Sequence, residues 1–252
     1  MIYWDRITLK SRAKAVLKNS YWMTLLALFI ASFLGSESGN SSQYISVSFS
    51  ASSIIPTFRT FGTFPYDWAL GVLVFTSLAI TLFAVGYGLF IGNIIYVGKC
   101  RYLTMCRYGK TDIGELFFSF KRGIYMNTVK TMFFRSLYIF LWSLLLVIPG
   151  IIKTYEYKMV PYILAENPWI SKDRAFEISK NTTYGEKWNM FVLDLSFIGW
   201  ILLGMLACCG IGVFFLNPYI EATQAELYGA LRYKAVANRL CSPDEIGREL
   251  FV

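Results

Sequence analysis

Four windows without a single charged residue constrain this chain more than any other feature. They cover residues 19–36, 68–98, 136–152 and 195–220. A helix needs roughly 20 apolar residues to cross the hydrocarbon of a bilayer. Hydrophobic residues also make up 56% of the 252 residues, against about 45–50% in soluble domains. The sequence therefore predicts an all-α integral membrane protein, whose principal partner is the lipid bilayer.

The positions of the basic residues predict the orientation of the spans. Arg6, Lys10, Arg12, Lys14 and Lys18 precede the first window, and loops rich in Lys and Arg stay on the cytoplasmic side. We therefore expect a cytoplasmic N-terminus. The net charge of +8 is concentrated beside apolar runs, which predicts contact with anionic lipid headgroups and no nucleic-acid partner.

The segment between the first two windows differs sharply in composition. Residues 35–67 are rich in Ser and contain one basic residue, Arg59, which predicts an external loop of irregular or short β structure. Basic residues return between residues 99 and 130 and again after residue 152. Two cytoplasmic segments require an even number of crossings between them, although only one obvious window separates them.

A Pro-Gly pair offers a solution to this parity problem. Pro149 stops a helix and Gly150 permits a reversal, so a helix over residues 129–148 could cross outward and residues 150–165 could return. Lys153, Glu156 and Lys158 make the returning segment polar. A re-entrant or interfacial segment is the alternative, because a charge at the bilayer centre costs about 2.5–3.5 kcal/mol.

Two parts of the chain resemble each other. RAKAVLKNSYW at residues 12–22 matches RAFEISKNTTYGEKW at 174–188, and GYGLFIGN at 86–93 matches GIGVFFLN at 210–217. This predicts two equivalent helix pairs around the central hairpin, about six spans in all. The single membrane domain, residues 1–252, then divides into a first pair (1–110), the hairpin (111–170), a second pair (171–240) and a cytoplasmic tail (241–252).

The helices that begin these pairs carry their own local signals. Leu9, Ala13, Val16 and Leu17 share a face opposite the lysines, as expected of a helix lying on an anionic inner leaflet. Ser171 is the predicted cap of the second basic helix, with Asp173 in its first turn. Residues 242–245, Ser-Pro-Asp-Glu, predict the start of a short soluble helix.

The candidate site is a polar seam within the last two windows. Asp194 lies in an apolar helix, and an ionisable residue in a span is a functional candidate. Helical spacing aligns a second set on one face: Asn217, Glu221, Gln224 and Tyr228. We expect the acids to meet Arg135 or Lys158 and to bind a cation, a proton or a lipid headgroup. The alternative is structural pairing of Glu221 near an interface.

Catalytic chemistry has little support in this composition. The chain has no His, which excludes His-based triads and His-ligated zinc, and no Walker lysine motif. Its five cysteines form neither a disulfide framework nor a metal pattern. We therefore predict no enzymatic activity, no cofactor and no metal.

Several stretches resemble a known family. LKSRAKAVLKNSYW, LWSLLLVIPGIIKTYEYKMVPYILAENP and GIGVFFLNPYIEATQAELY are similar to the bacterial integral membrane family called domain of unknown function 975. The resemblance implies a multi-pass protein of the bacterial cytoplasmic membrane and carries no established activity. We predict an envelope or transport-accessory factor with a membrane protein partner and both termini cytoplasmic. The alternative is a small secondary transporter that uses the intramembrane acids.

Overall fold

The computed structural model describes residues 4–34, 67–121, 123–207, 211–243 and 245–246. All regular structure in these ranges is helical, which confirms the all-α prediction for this part of the chain. The α-helices are α1 (Arg6–Phe33), α2 (Asp67–Tyr87), α3 (Asn93–Cys106), α4 (Tyr125–Leu145), α5 (Val147–Glu156), α6 (Val160–Glu166), α7 (Lys172–Thr183), α8 (Lys187–Ala207) and α9 (Ile211–Ala237). A π-helical turn (Gly88–Gly92) joins α2 to α3, and a 3₁₀ helix (Ile113–Phe120) follows α3. The Ser-rich loop predicted over residues 35–67 lies, up to residue 66, outside the described residues.

Two helical segments are long and apolar enough to cross a membrane. They are Gly71–Cys106 and Lys187–Gly204, and α1 supplies a third if its two parts, bent by 95° between Lys18 and Ser20, count as one span. This capacity agrees with a membrane protein. The predicted six crossings and the pseudo-repeat are not confirmed.

Helix α1 packs into the protein along one continuous stripe. Its buried positions recur at helical spacing: Leu9, Ala13, Leu17, Ser20, Thr24, Ala27, Leu28 and Ala31. Ala13 and Leu17 pack against Ala222 of α9. The apolar face that we expected to lie on the lipid leaflet is therefore covered by protein, because α9 presents small side chains that let the two helices approach.

The central hairpin reverses at a different residue from the one predicted. Helix α4 ends at Leu145, Leu146 is extended (φ −158°, ψ 143°), and α5 begins at Val147. The prediction of a helix break at Pro149 and Gly150 is wrong by three residues, because proline is tolerated in the first turn of a helix. Gly150 has a packing role instead: a Cβ there would lie 2.8 Å from Cα of Ser143.

The predicted start of α7 is confirmed, and the predicted cap at Ser242 is present. The Ser171 side chain accepts a hydrogen bond from the Arg174 N–H at 3.4 Å, with Asp173 in the first turn of α7. At the tail, the Ser242 N–H donates to Glu245 Oε2 at 2.9 Å, and the Glu245 N–H donates to Ser242 Oγ at 3.3 Å. This reciprocal pattern is a capping box. The helix that we expected after it lies outside the described residues.

Candidate functional site: a buried network of ion pairs

The predicted polar seam of α9 faces the interior of the bundle. Glu221, Gln224 and Tyr228 are only 6%, 4% and 2% exposed, and Asn217 is half-buried one turn earlier on the same face. The surrounding helices are α3, α6 and α8. Since buried charges persist only when paired and hydrogen-bonded, the partners of these side chains decide what the seam can do.

Asp194 of α8 joins this seam with three hydrogen bonds. Its carboxylate accepts from Lys158 Nζ at 2.8 Å, from the Tyr155 hydroxyl at 2.9 Å and from Gln224 Nε2 at 2.8 Å. Lys158 was one of the two predicted partners, and the structure places it there. The carboxylate thus ties together α5, the turn after α5, and α9.

Glu221 has a partner that the sequence reasoning missed. Lys99 Nζ lies 2.9 Å from Glu221 Oε1, and the two side chains are 3% and 8% exposed. The Lys99 ammonium also lies 4.7 Å from the centre of the Tyr96 ring, a cation–π distance. Arg135, the other expected partner, instead donates to the Tyr157 carbonyl at 2.9 Å.

The reason for this miss lies in the length of α3. Lys99 follows an uncharged window, so its charge was interpreted as the cytoplasmic flank of a span. The helix continues through Lys99 to Cys106, and its side chain therefore points into the bundle. A useful signal was present: Ile95, Lys99 and Tyr102 share one face at helical spacing, and all three are buried.

A second group of charges closes the seam at the far end of α9. The Tyr228 hydroxyl donates to Glu166 Oε2 at 2.7 Å, and Glu166 is also paired with Arg232. Two residues before Tyr228 on α9, Glu226 Oε1 lies 2.8 Å from Arg107 Nε. Glu166 and Arg232 were not among the predicted site residues, although Tyr228 and Arg232 are four residues apart on the predicted face.

Glu156 anchors the hairpin to the start of α8. Its carboxylate pairs with Lys153 Nζ at 2.8 Å and with Lys187 Nζ at 2.7 Å. The carbonyl of Glu156 accepts from Ser179 Oγ at 2.7 Å, which adds α7 to the same junction. The polar residues that made the returning segment costly in lipid are therefore paired inside the protein.

The network lies beside the basic part of α1. Lys10 Nζ donates to Ser196 Oγ at 2.8 Å, and Ser196 is on α8 close to Asp194. The apolar side chains farther along α8 are exposed, among them Ile198, Trp200 and Leu202. Asp194 thus lies where the charged part of the bundle meets the exposed apolar part of α8.

The described residues offer few groups for metal binding or nucleophilic chemistry. The described residues contain no group of three His, Cys, Asp or Glu side chains arranged to hold a metal ion. Cys100, Cys106 and Cys241 are buried free thiols, and burial raises the pKa of Cys241 to about 11, so this thiol is a poor nucleophile. Cys208 and Cys209 lie outside the described residues.

Most of this network falls within one stretch of the chain. Residues 144–235 match the model of the DUF975 family, a protein of unknown function. The match confirms the resemblance for the returning arm of the hairpin (α5 and α6), α7, α8 and most of α9. No curated protein and no solved structure matches the sequence.

Proposed function

We propose that this DUF975-like chain is a non-enzymatic integral membrane protein that acts as an envelope or transport-accessory factor. The observation that carries this proposal is the fixed pairing of the seam acids. Asp194 already accepts three hydrogen bonds, and Glu221 is held by Lys99 with both side chains buried. Such pairs fix the relative positions of helices, because separating them would leave buried charges unpaired.

A small secondary transporter is the second candidate, and one atom favours it. Gln224 Oε1 is buried and has no hydrogen-bond partner within the described residues. The same side chain donates to Asp194, so a bound cation or water could contact both Gln224 Oε1 and the Asp194 carboxylate. A transport cycle would then have to move Lys158 or Gln224 away from the carboxylate.

Transport in proteoliposomes separates the two functions. We expect no proton-coupled or Na⁺-coupled flux above empty liposomes, and recovery of a stable membrane protein partner by crosslinking in cells. If flux occurs and Asp194→Asn abolishes it, while the exposed control Asp173→Asn does not, the accessory proposal is wrong. Thermal unfolding of both variants in detergent must accompany the assay, since Asp194→Asn also weakens a structural pair.

For topology we propose four crossings and a re-entrant hairpin, with both termini cytoplasmic, in preference to six crossings. The crossings are α1, the Gly71–Cys106 segment and α8, with α9 proposed as the return. The Arg135 side chain bonds to the Tyr157 carbonyl, so these residues lie at the same level of the two hairpin arms. From that level to Leu146, each arm is only about 16–17 Å long at a rise of about 1.5 Å per residue. The hydrocarbon is about 30 Å thick, so the arms fit a segment that enters and leaves on one side.

Cysteine labelling distinguishes these two topologies. In a Cys208→Ser/Cys209→Ser background, Ile148→Cys places a thiol at the exposed tip of the hairpin. A re-entrant tip should resist an impermeant thiol reagent added outside intact cells, whereas the tip of a six-span protein should react. An exposed control on α7, Lys180→Cys, should react only after the cells are opened.

A further inference from the structure

An open cleft lies between α1 and α9. Its volume is about 490 Å³, and it is lined by Lys14, Leu17, Lys18, Tyr21 and Tyr219. This volume is within the range of about 300–1,000 Å³ that small-molecule sites occupy. The cleft combines an apolar floor with two ammonium groups and two phenol rings, and it belongs to neither group of the ion-pair network.

The walls of the cleft are held in place by contacts between the helices. The Tyr21 hydroxyl donates to the Phe215 carbonyl at 2.9 Å, and the Lys14 ammonium lies 5.8 Å from the centre of the Tyr219 ring. Tyr219 in turn packs edge-on against Phe197, with ring centres 5.7 Å apart. The cleft is therefore formed before any ligand arrives, which lowers the entropic cost of binding.

Within the described residues, no acidic side chain neutralises the positive charge of this surface. Among the described residues, every ion pair uses cations other than those of α1, and no carboxylate lies within 4 Å of the ammonium groups of Lys10, Lys14 and Lys18. Partial burial, together with the nearby Arg6 and Lys14, lowers the pKa of Lys10. A surface of this kind attracts an external anion.

The cleft also lies where α1 changes character. Before it, α1 exposes Lys14 and Lys18; after it, the helix exposes Trp22, Leu26 and Phe29. Trp and Tyr concentrate at the level of lipid headgroups, with apolar residues on the hydrocarbon side and basic residues on the water side. We propose that the cleft between α1 and α9 binds the phosphate group of an anionic phospholipid, whose acyl chains lie along the apolar part of α1.

Each part of such a lipid has a counterpart. Lys14 and Lys18 are placed to pair with the phosphate, and the apolar side chain of Leu17 lies between them on the cleft floor. The acyl chains would cover the exposed side chains beyond Trp22, which a soluble anion would leave in water. This match favours a membrane lipid over a free anion, and the inference rests on the proposed membrane location.

Lipid binding by the full-length protein tests the inference. The purified chain in a neutral detergent is titrated with short-chain phosphatidylglycerol, and bound lipid is counted by native mass spectrometry. Each basic residue near an anionic lipid contributes a roughly fivefold effect, so Lys14→Gln/Lys18→Gln should weaken binding about 30-fold. The matched control, Lys110→Gln/Lys180→Gln, removes two exposed lysines elsewhere and should leave the affinity unchanged.

Other outcomes would overturn the inference in distinct ways. Equal binding by both double variants would mean that the cleft is not the site. If inorganic phosphate displaces the lipid at a concentration comparable to that of the lipid, the cleft is a site for free anions. If the wild-type chain resists carbonate extraction from membranes and shows no preference for phosphatidylglycerol over phosphatidylcholine, the lipid site fails while the membrane location stands. Release by carbonate would instead contradict the membrane location.

Discussion

Two stretches of one long helical segment have opposite surroundings. Within Gly71–Cys106, the side chains from Gly71 to Val85 are all exposed, whereas most of those from Ile94 to Cys106 are buried. The exposed stretch has no charge, and the buried stretch contains Lys99 and Arg101, both paired with acids. In this segment, the stretch buried by protein contains paired charged residues, whereas the exposed stretch contains none.

The two stretches place their apolar side chains in different surroundings. Leu78, Leu82 and Phe83 are 55%, 65% and 75% exposed, far more apolar surface than one helix leaves in water. The buried stretch meets backbone and side chains of α6, α9 and the 3₁₀ helix. If the exposed stretch lies in lipid, substitutions in the two stretches should have different kinds of effect.

The largest effect is expected from breaking the Lys99–Glu221 pair. Glu221→Leu leaves the Lys99 ammonium buried and unpaired, which should lower the free energy of unfolding by about 3–5 kcal/mol. Chemical unfolding in detergent measures this loss. The double variant Lys99→Met/Glu221→Leu should recover most of it, because two apolar side chains then fill the site. A double variant no more stable than Glu221→Leu would contradict a pairing role.

The exposed stretch should respond to charge through membrane insertion. Leu78→Arg replaces a favourable residue with one that costs about 2.5–3.5 kcal/mol at the centre of a span. The apparent insertion free energy of residues 67–92 should therefore rise by about 3–4 kcal/mol in a translocon assay. Leu78→Phe is the neutral control. No change with Leu78→Arg would indicate that this stretch faces water or protein.

Substitutions at two glycines test the same contrast between the buried and the exposed stretch, with a smaller expected effect. A Cβ at Gly98 would lie 2.6 Å from the Leu116 carbonyl carbon, while a Cβ at Gly71 would meet nothing within 4 Å. Gly98→Ala should cost about 1–3 kcal/mol of unfolding free energy because backbone must move. Gly71→Ala should be neutral or stabilise the helix by up to about 1 kcal/mol. Thermal unfolding in detergent distinguishes them, and equal effects would contradict the described packing.

The smallest effect is expected from an ion pair that faces water. Arg174 Nε lies 2.8 Å from Glu245 Oε1, and both side chains are about one third exposed. Hydrogen bonds from the Arg174 side chain, and then from the Ser242 N–H, lower the pKa of Glu245. Solvent screening limits the contribution to about 1 kcal/mol or less.

The pH dependence of this pair has a definite sign. Because the folded pKa of Glu245 is lowered, its contribution is present above the unfolded value, about 4.3, and is lost as the pH falls through the folded value. The stability difference between wild type and Arg174→Gln should therefore disappear in acid. A difference that grows as the pH falls would exclude this mechanism.

Local patterns predicted more of the fold than of the site. The apolar windows, the Ser171 cap and the Ser242–Glu245 capping box depend on neighbouring residues, so such features can be predicted from the sequence alone. Lys99 and Glu221 are 122 residues apart, so their pairing follows only from how α3 packs on α9. The stop at Leu146 was missed for a related reason: the contact between Gly150 and Ser143 decides where the arms meet.

The reversal at Leu146 has a consequence for how the protein reaches its membrane. The Leu146 N–H donates to the Trp142 carbonyl at 3.2 Å, and the Gly150 N–H donates to the Leu146 carbonyl at 3.2 Å. Hydrocarbon penalises unpaired peptide groups by several kcal/mol each, and these two hydrogen bonds pair the N–H and the carbonyl of Leu146. If the hairpin is re-entrant, as proposed above, it inserts from one side of the bilayer, and no part of it has to be translocated across the membrane during biosynthesis.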